Sequence, residues 1–203
     1  MEAMIGMNGR RPASGFSMVE LVIVVAITLV VAAIALPGVI AATQNFKLRS
    51  TVSNISGVVQ RARMLSVARN TFYPVLSSTD TTTNITSVFL GNASDFTAST
   101  TLSTATDKTN IIAVGSVFFD TSASHPSDTT ILNGLTAVYR LPEFNPRGLP
   151  CFVSSGVCTV DATKMYITFL RQDRSLGTPG WAAINVTPAG RVQVWTWDGS
   201  RWQ

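Results

Sequence analysis

The stretch Gly15-Phe16-Ser17-Met18-Val19-Glu20, continued by an apolar run from Leu21 to Leu36, decides how this chain is read. Arg10 and Arg11 stand just ahead of it. A bilayer core is crossed by about 20 apolar residues in a helix, so the run is long enough to begin a membrane span. Glu20 breaks the pattern. A carboxylate in hydrocarbon costs roughly 2.5–3.5 kcal/mol or more, so an acid at the head of such a run predicts a function and a partner.

Two plainer readings compete for the same residues. An uncut signal anchor would keep Arg10 and Arg11 inside, but it gives no reason for an acid in its first turn. A secretory peptide cut near Ala41-Ala42 would carry an apolar region well beyond the usual length of about 7–15 residues. The arginine pair lacks the remaining residues of a twin-arginine signal. Gly-Phe-x-x-x-Glu ahead of such a helix instead resembles the class III signal of type IV pilins and pseudopilins. The resemblance implies that a membrane prepilin peptidase cuts after Gly15 and methylates Phe16. It also implies that Glu20, the fifth residue of the mature chain, meets the free ammonium of a neighbouring subunit. Docking charge against charge avoids two unpaired ions in low dielectric. Pro37 falls where many pilins have a helix-kinking proline, and with Gly38 beside it a bend or local melting is expected.

The remaining composition fits one domain behind that helix. The chain has 203 residues, 46% hydrophobic and 13% charged, with a net charge of +4. So mild a charge does not argue for nucleic acid. Lys47, Arg49, Arg61, Arg63 and Arg69 fall between Phe46 and Asn70 with no acid among them. Such a stripe is either a solvated or subunit-facing side of a helix or a contact for anionic lipid headgroups. Cys151 and Cys158 lie close together in a segment that would follow export, where such a pair reads as a disulfide. A zinc site would need more ligands than this pair and His125, the one histidine.

Residues 1–15 are expected to be a removable leader. Residues 16–42 form a membrane or filament-core helix, and 43–203 a globular domain whose helical part, 43–70, precedes a β-rich part, 71–203. Leu48, Val52, Ile55, Val59, Ala62 and Leu65 recur at steps of three and four, so one stripe of the second half-helix should meet a core. Asn70 is the expected C-cap, and Pro74 prevents continuation. Phe72 to Leu76 and Val88 to Leu90 are short strand candidates. Ser77 to Thr109, rich in Ser and Thr, reads as a long loop or loosely held hairpin. Ile111 to Phe119, Thr136 to Leu141, Met165 to Leu170, Trp181 to Thr187 and Arg191 to Trp197 are strands, with Thr187-Pro188-Ala189-Gly190 turning the last hairpin. Met165, Ile167 and Phe169 should form the buried face of their strand. Asp198-Gly199 should turn Trp202 back onto the sheet.

This gives an α+β, pilin-like class: a long N-terminal helix packed on an antiparallel sheet. Gln60-Arg61-Ala62-Arg63, Ala68-Arg69-Asn70, Phe144-Asn145-Pro146-Arg147-Gly148 and Ala189-Gly190-Arg191-Val192 are similar to stretches of the GspH/FimT family. That family holds H-type pseudopilins of type II secretion and T-type fimbrial minor pilins. The resemblance implies a structural subunit of a pilus or pseudopilus that acts in filament assembly and protein secretion. Its partners would be prepilin peptidase, other pilins in a helical filament and inner-membrane lipid, with its domain in the periplasm. No catalytic set, cofactor or metal site is read from the residues. His125 reads as an exposed loop histidine, and Asp120 and Asp128 lack a calcium ligand ladder.

A second reading comes from the last strand. Regular alternation would put Arg191, Gln193, Trp195 and Trp197 on one face and Val192, Val194 and Thr196 on the core side. Cations beside stackable aromatics suit nucleic acid, and Arg201 is near. Some T-type minor pilins bind DNA through a Gly-Arg-x-Arg motif in this region. Here Gly190-Arg191-Val192 matches its first three positions, but Gln193 replaces the second arginine and removes a phosphate contact. The alternative is that the indoles simply pack as apolar area.

Overall fold

The computed structural model describes residues 17–80, 85–91, 112–113, 117–120, 124–154, 157–174 and 178–203. Gly15, Phe16 and residues 92–111 lie outside them. Helix α1 spans Met18–Ala68. Pro37 offers no N–H to the preceding turn, yet the helix is continuous across it, so the local melting expected there is not observed. One lost bond is bridged by intact turns on both sides. At the other end, the Thr71 N–H donates to the Ser66 carbonyl and the Asn70 N–H to that of Val67, at 3.1 and 3.3 Å. With Asn70 at φ 50° this is a Schellman cap.

The chain divides into two compact units, residues 1–40 and 41–203. Within the second, Leu48, Val52, Ile55, Val59 and Ala62 are buried as the sequence stripe predicts, with Leu65 packed at its margin. They meet two sheets. The first joins β1 (Tyr73–Asp80), β2 (Ile85–Leu90), β3 (Ile112–Ala113), β6 (Glu143–Phe144), β7 (Pro150–Ser154) and β8 (Val157–Thr159) in the order β3-β2-β1-β6-β7-β8. The second runs β11 (Val192–Thr196), β10 (Gly180–Val186), β9 (Lys164–Gln172), β4 (Val117–Asp120), with β5 (Thr136–Tyr139) also on β9. The α+β class is therefore the observed one.

Several expectations need correction. The strand expected over 111–119 is two short strands in different sheets: β3 pairs with β2, whereas β4 pairs with β9. The β5–β9 pairing is parallel, unlike its neighbours. Of the long loop or loosely held hairpin expected from Ser77 to Thr109, Ser77–Asp80 and Ile85–Ser87 take the hairpin form and extend the β1–β2 pair. Cross-strand bonding and the buried Val88, Phe89 and Leu90 hold what Ser/Thr composition alone would not.

Strand β9 is covered on both faces. Tyr166 and Leu170 join Ala182, Ile184 and Val186 in the core under α1. Met165, Ile167 and Phe169 join Trp181 and Ala183 in a second cluster, covered by Ile131 of the short helix α2 (Thr129–Leu132) and by Trp202. Expecting only the Met165 face to be buried missed half of this core.

Candidate functional site

Among the described residues one helix, α1, is long and apolar enough to cross a membrane, and the first unit holds its apolar part. Its aliphatic side chains face outward on every side: Leu21, Ile27 and Leu29 are each exposed, and Ile34 is 77% exposed. Burying one such side chain is worth about 1.5–3 kcal/mol, so the segment requires lipid or protein around it. Glu20 sits exposed in its first turn.

The local geometry adds a role that the apolar context had hidden. The Leu21 N–H donates to the Ser17 carbonyl at 3.1 Å, which puts Ser17 at the N-cap and Glu20 at the third helical position. Ser-x-x-Glu at those positions is the capping-box pattern, and an acid there also complements the helix dipole. The tetrapeptide signal was present in the sequence. Capping explains a polar residue at position 20, but glutamine caps as well as glutamate, so it does not require the charge.

In the second unit, three stretches far apart in the sequence meet at one point. Arg63 Nε donates to the Gly148 carbonyl at 3.1 Å. Gly148 closes the Phe144–Gly148 turn, whose Asn145 Oδ1 accepts the Arg147 and Leu149 N–H groups at 2.9 and 3.0 Å. Gly190, at φ +80°, lies so close that an added Cβ would stand 2.7 Å from the Gly148 carbonyl and 3.1 Å from Arg63 Nε. The helix, the turn and the β10–β11 connection are locked together there. Nearby, Cys151 and Cys158 form a disulfide between β7 and β8.

The candidate nucleic-acid residues are less of one surface than alternation suggested. Arg191 and Arg201 are exposed, and Arg201 pairs with Asp198 at 3.4 Å. Trp195 and Trp197 are half-buried against the second cluster, and Trp197 tilts against Trp202 with ring centroids 5.4 Å apart. Gln193 is engaged with Asn185, whose Nδ2 donates to Gln193 Oε1 at 3.4 Å. Val194, expected in the core, is 44% exposed, whereas Val192 does pack on the core. Strand alternation was right, but both faces are partly covered: Val192 packs on the first cluster and Trp195 and Trp197 on the second.

Asp198 turns the chain so that Trp202 bridges back to Trp197, as expected. Its Oδ1 accepts the Arg201 N–H, the Ser200 N–H and the Ser200 hydroxyl, which hold its pKa down at about 2. Trp202 Nε1 donates to the Ser127 carbonyl at 2.8 Å. His125 is half-buried, not an exposed loop residue: it stacks on Phe169 at 4.0 Å and tilts against Tyr139. Tyr139 donates to Asp128, and burial together with that carboxylate raises its pKa. Among the described residues no group of three or more His, Cys, Asp or Glu is placed to hold a metal ion.

Compared with known families, residues 10–36 match the model of the prokaryotic N-terminal methylation motif, and the chain fits the pilin/pseudopilin superfamily. The matched span includes Gly15, Phe16 and Glu20 and ends at Leu36. No curated protein and no solved structure matches the chain.

Proposed function

We propose that this chain is a minor pilin or pseudopilin, a structural subunit of a type IV pilus or type II secretion pseudopilus acting in filament assembly and protein secretion. The observation that carries the reading is an apolar helix exposed on all sides and headed by Glu20, inside a segment matching the methylation motif. Prepilin peptidase cuts after Gly15 and methylates Phe16. The helix then holds the subunit in the inner membrane, with the domain in the periplasm, until it joins other pilins. In the filament, the Glu20 carboxylate pairs with the Phe16 ammonium of a neighbour, so neither charge is buried alone. The narrower, minor-subunit assignment is supported by the meeting of Arg63, Gly148 and Gly190 from stretches similar to the GspH/FimT family. No catalytic step is assigned.

Mass spectrometry of the protein from its host tests the processing: a methylated Phe16 terminus is expected, and an intact Met1 or a start near Thr43 overturns it. Glu20→Gln tests the pairing, because it keeps the helix cap and removes the charge. Both it and Glu20→Ala should be cleaved normally yet enter filaments poorly. Normal incorporation of the glutamine variant would reduce Glu20 to a capping residue.

DNA uptake through Arg191 is the weaker alternative. Its aromatic partners are already packed on the sheet and its amide neighbour is engaged. Salt-dependent retention of DNA by the full chain, lost in Arg191→Ala, would restore it.

A further inference from the structure

The junction of Arg63, Gly148 and Gly190 carries more positive charge than its own fold uses. Arg147 immediately precedes Gly148 and Arg191 immediately follows Gly190, and both are exposed. A Cβ at Gly190 would stand 3.2 Å from Arg63 Cζ, and one at Gly148 3.5 Å from Arg63 Nε. Consecutive Cα atoms are about 3.8 Å apart, so the Cα atoms of Arg147 and Arg191 both stand within about 9 Å of the Arg63 guanidinium. The helix, the turn and the β10–β11 connection thus each bring one arginine to the same place.

Nothing within the domain answers that charge. The four ion pairs among the described residues use Arg140, Lys164, Arg171 and Arg201, and none involves Arg63, Arg147 or Arg191. Arg63 is half-buried and spends its Nε on the Gly148 carbonyl. Among the described residues its remaining guanidinium N–H groups meet no acceptor. Withdrawing a cation from water without a counter-ion is costly, so the arrangement calls for an anion from outside. The two glycines let backbone close around the guanidinium and hold its planar fork in place, which lowers the ordering cost of binding.

The surroundings indicate what bears that anion. Met64 is 64% exposed and Val67 53%, and Val67 Cγ2 would lie 2.9 Å from a Cβ at Gly148. Arginine and methionine beside open apolar surface have the composition of a protein contact. A nucleic-acid strand would call for free stacking rings, whereas Trp195 and Trp197 pack on the second cluster. The helix of a second copy is a poor occupant, because residues 46–70 hold five cations and no acid. We propose that this junction docks an acidic, otherwise apolar segment of a different filament subunit. One carboxylate enters the arginine cluster and the flanking apolar side chains cover Met64 and Val67. The proposal rests on the filament-subunit reading above and names the chemistry of one neighbour.

The test titrates the full chain in detergent with an amidated peptide of leucine, alanine and two glutamates. Its glutamine counterpart, a single-stranded oligonucleotide and inorganic phosphate are run beside it. The glutamate peptide should bind at least about tenfold more tightly than the glutamine one. Arg147→Gln and Arg191→Gln, at exposed positions that leave the fold intact, should each weaken it about fivefold. Arg63→Lys keeps the charge but loses the fork and should weaken it comparably. Met64→Ser should weaken it about twofold, and Lys47→Gln, about 24 Å away along the helix, should leave it unchanged. Equal binding of the two peptides overturns the proposal, as does unchanged affinity in both Arg147→Gln and Arg191→Gln. Oligonucleotide or phosphate binding as tight as that of the glutamate peptide, and indifferent to Met64→Ser, overturns it as well. The mature N-terminus from the host separates the two levels. An unmethylated Phe16 refutes the filament reading itself, whereas a methylated Phe16 with arginine-independent peptide binding refutes the docking site alone.

Discussion

Gly190 shows how much one atom can carry. It needs a positive φ, and its α-carbon faces the Gly148 carbonyl at the point where Arg63 donates. Gly190→Ala therefore combines a left-handed alanine, at about 1–2 kcal/mol, with a backbone clash, and should cost at least about 2 kcal/mol. Arg63→Ala removes a donor but adds no clash, so it should cost about half as much. Urea unfolding of the two variants checks the order, and an Arg63→Ala loss larger than that of Gly190→Ala would contradict it. Asp198 makes a prediction in pH. Its folded pKa of about 2 lies below the unfolded value of about 3.9, so its contribution is present above pH 4. It is lost as pH falls from about 4 to 2. Trp202 fluorescence should report loosening of the C-terminal turn over that window. Asp198→Asn, already without the charge, should show no such transition.

At the level of elements, the disulfide offers the cleanest perturbation. It closes a loop with a sequence separation of 7 within the β7–β8 pair. Chain-entropy arguments give so short a loop about 2–3 kcal/mol. The Cys151→Ser/Cys158→Ser double variant should lose that amount in urea, and reduced wild type should match it. A variant as stable as the oxidised protein would show that pairing in β7–β8 holds without the link. Which elements the residues announced follows from how local their signals are. The half-helix core stripe, the Asn70 cap and the Thr187–Gly190 hairpin each rest on a few neighbouring residues, and all three are observed. The division of 111–119 between two sheets, and the parallel β5–β9 pair, depend on partners far along the chain. Double burial of β9 was readable, since Met165-Tyr166-Ile167 and Phe169-Leu170 put apolar groups at both parities. Glu20 was legible because a charge in an apolar run stands out. The Arg63–Gly148–Gly190 junction was not, because residues 63, 148 and 190 are joined only by the fold.

Taken whole, the molecule divides its stability unequally. The unit of residues 1–40 has no buried apolar residue among those described, whereas that of 41–203 contains both hydrophobic clusters. The second unit should therefore fold without the first, provided it keeps its part of α1. Leu48, Val52, Ile55 and Val59 supply one wall of the larger cluster, and deleting one large aliphatic from such a wall costs about 2–5 kcal/mol. Three proteins separate the possibilities. A chain beginning at Ala42 should be soluble and monomeric, with one cooperative urea transition. The same chain with Ile55→Ala should unfold earlier by that 2–5 kcal/mol. A chain beginning at Thr71 should not fold, because the sheets would expose the apolar faces that α1 covers. If the Thr71 chain unfolded cooperatively at the same midpoint as the Ala42 chain, the half-helix would be an appendage and not a wall, and the division of labour along α1 would have to be abandoned.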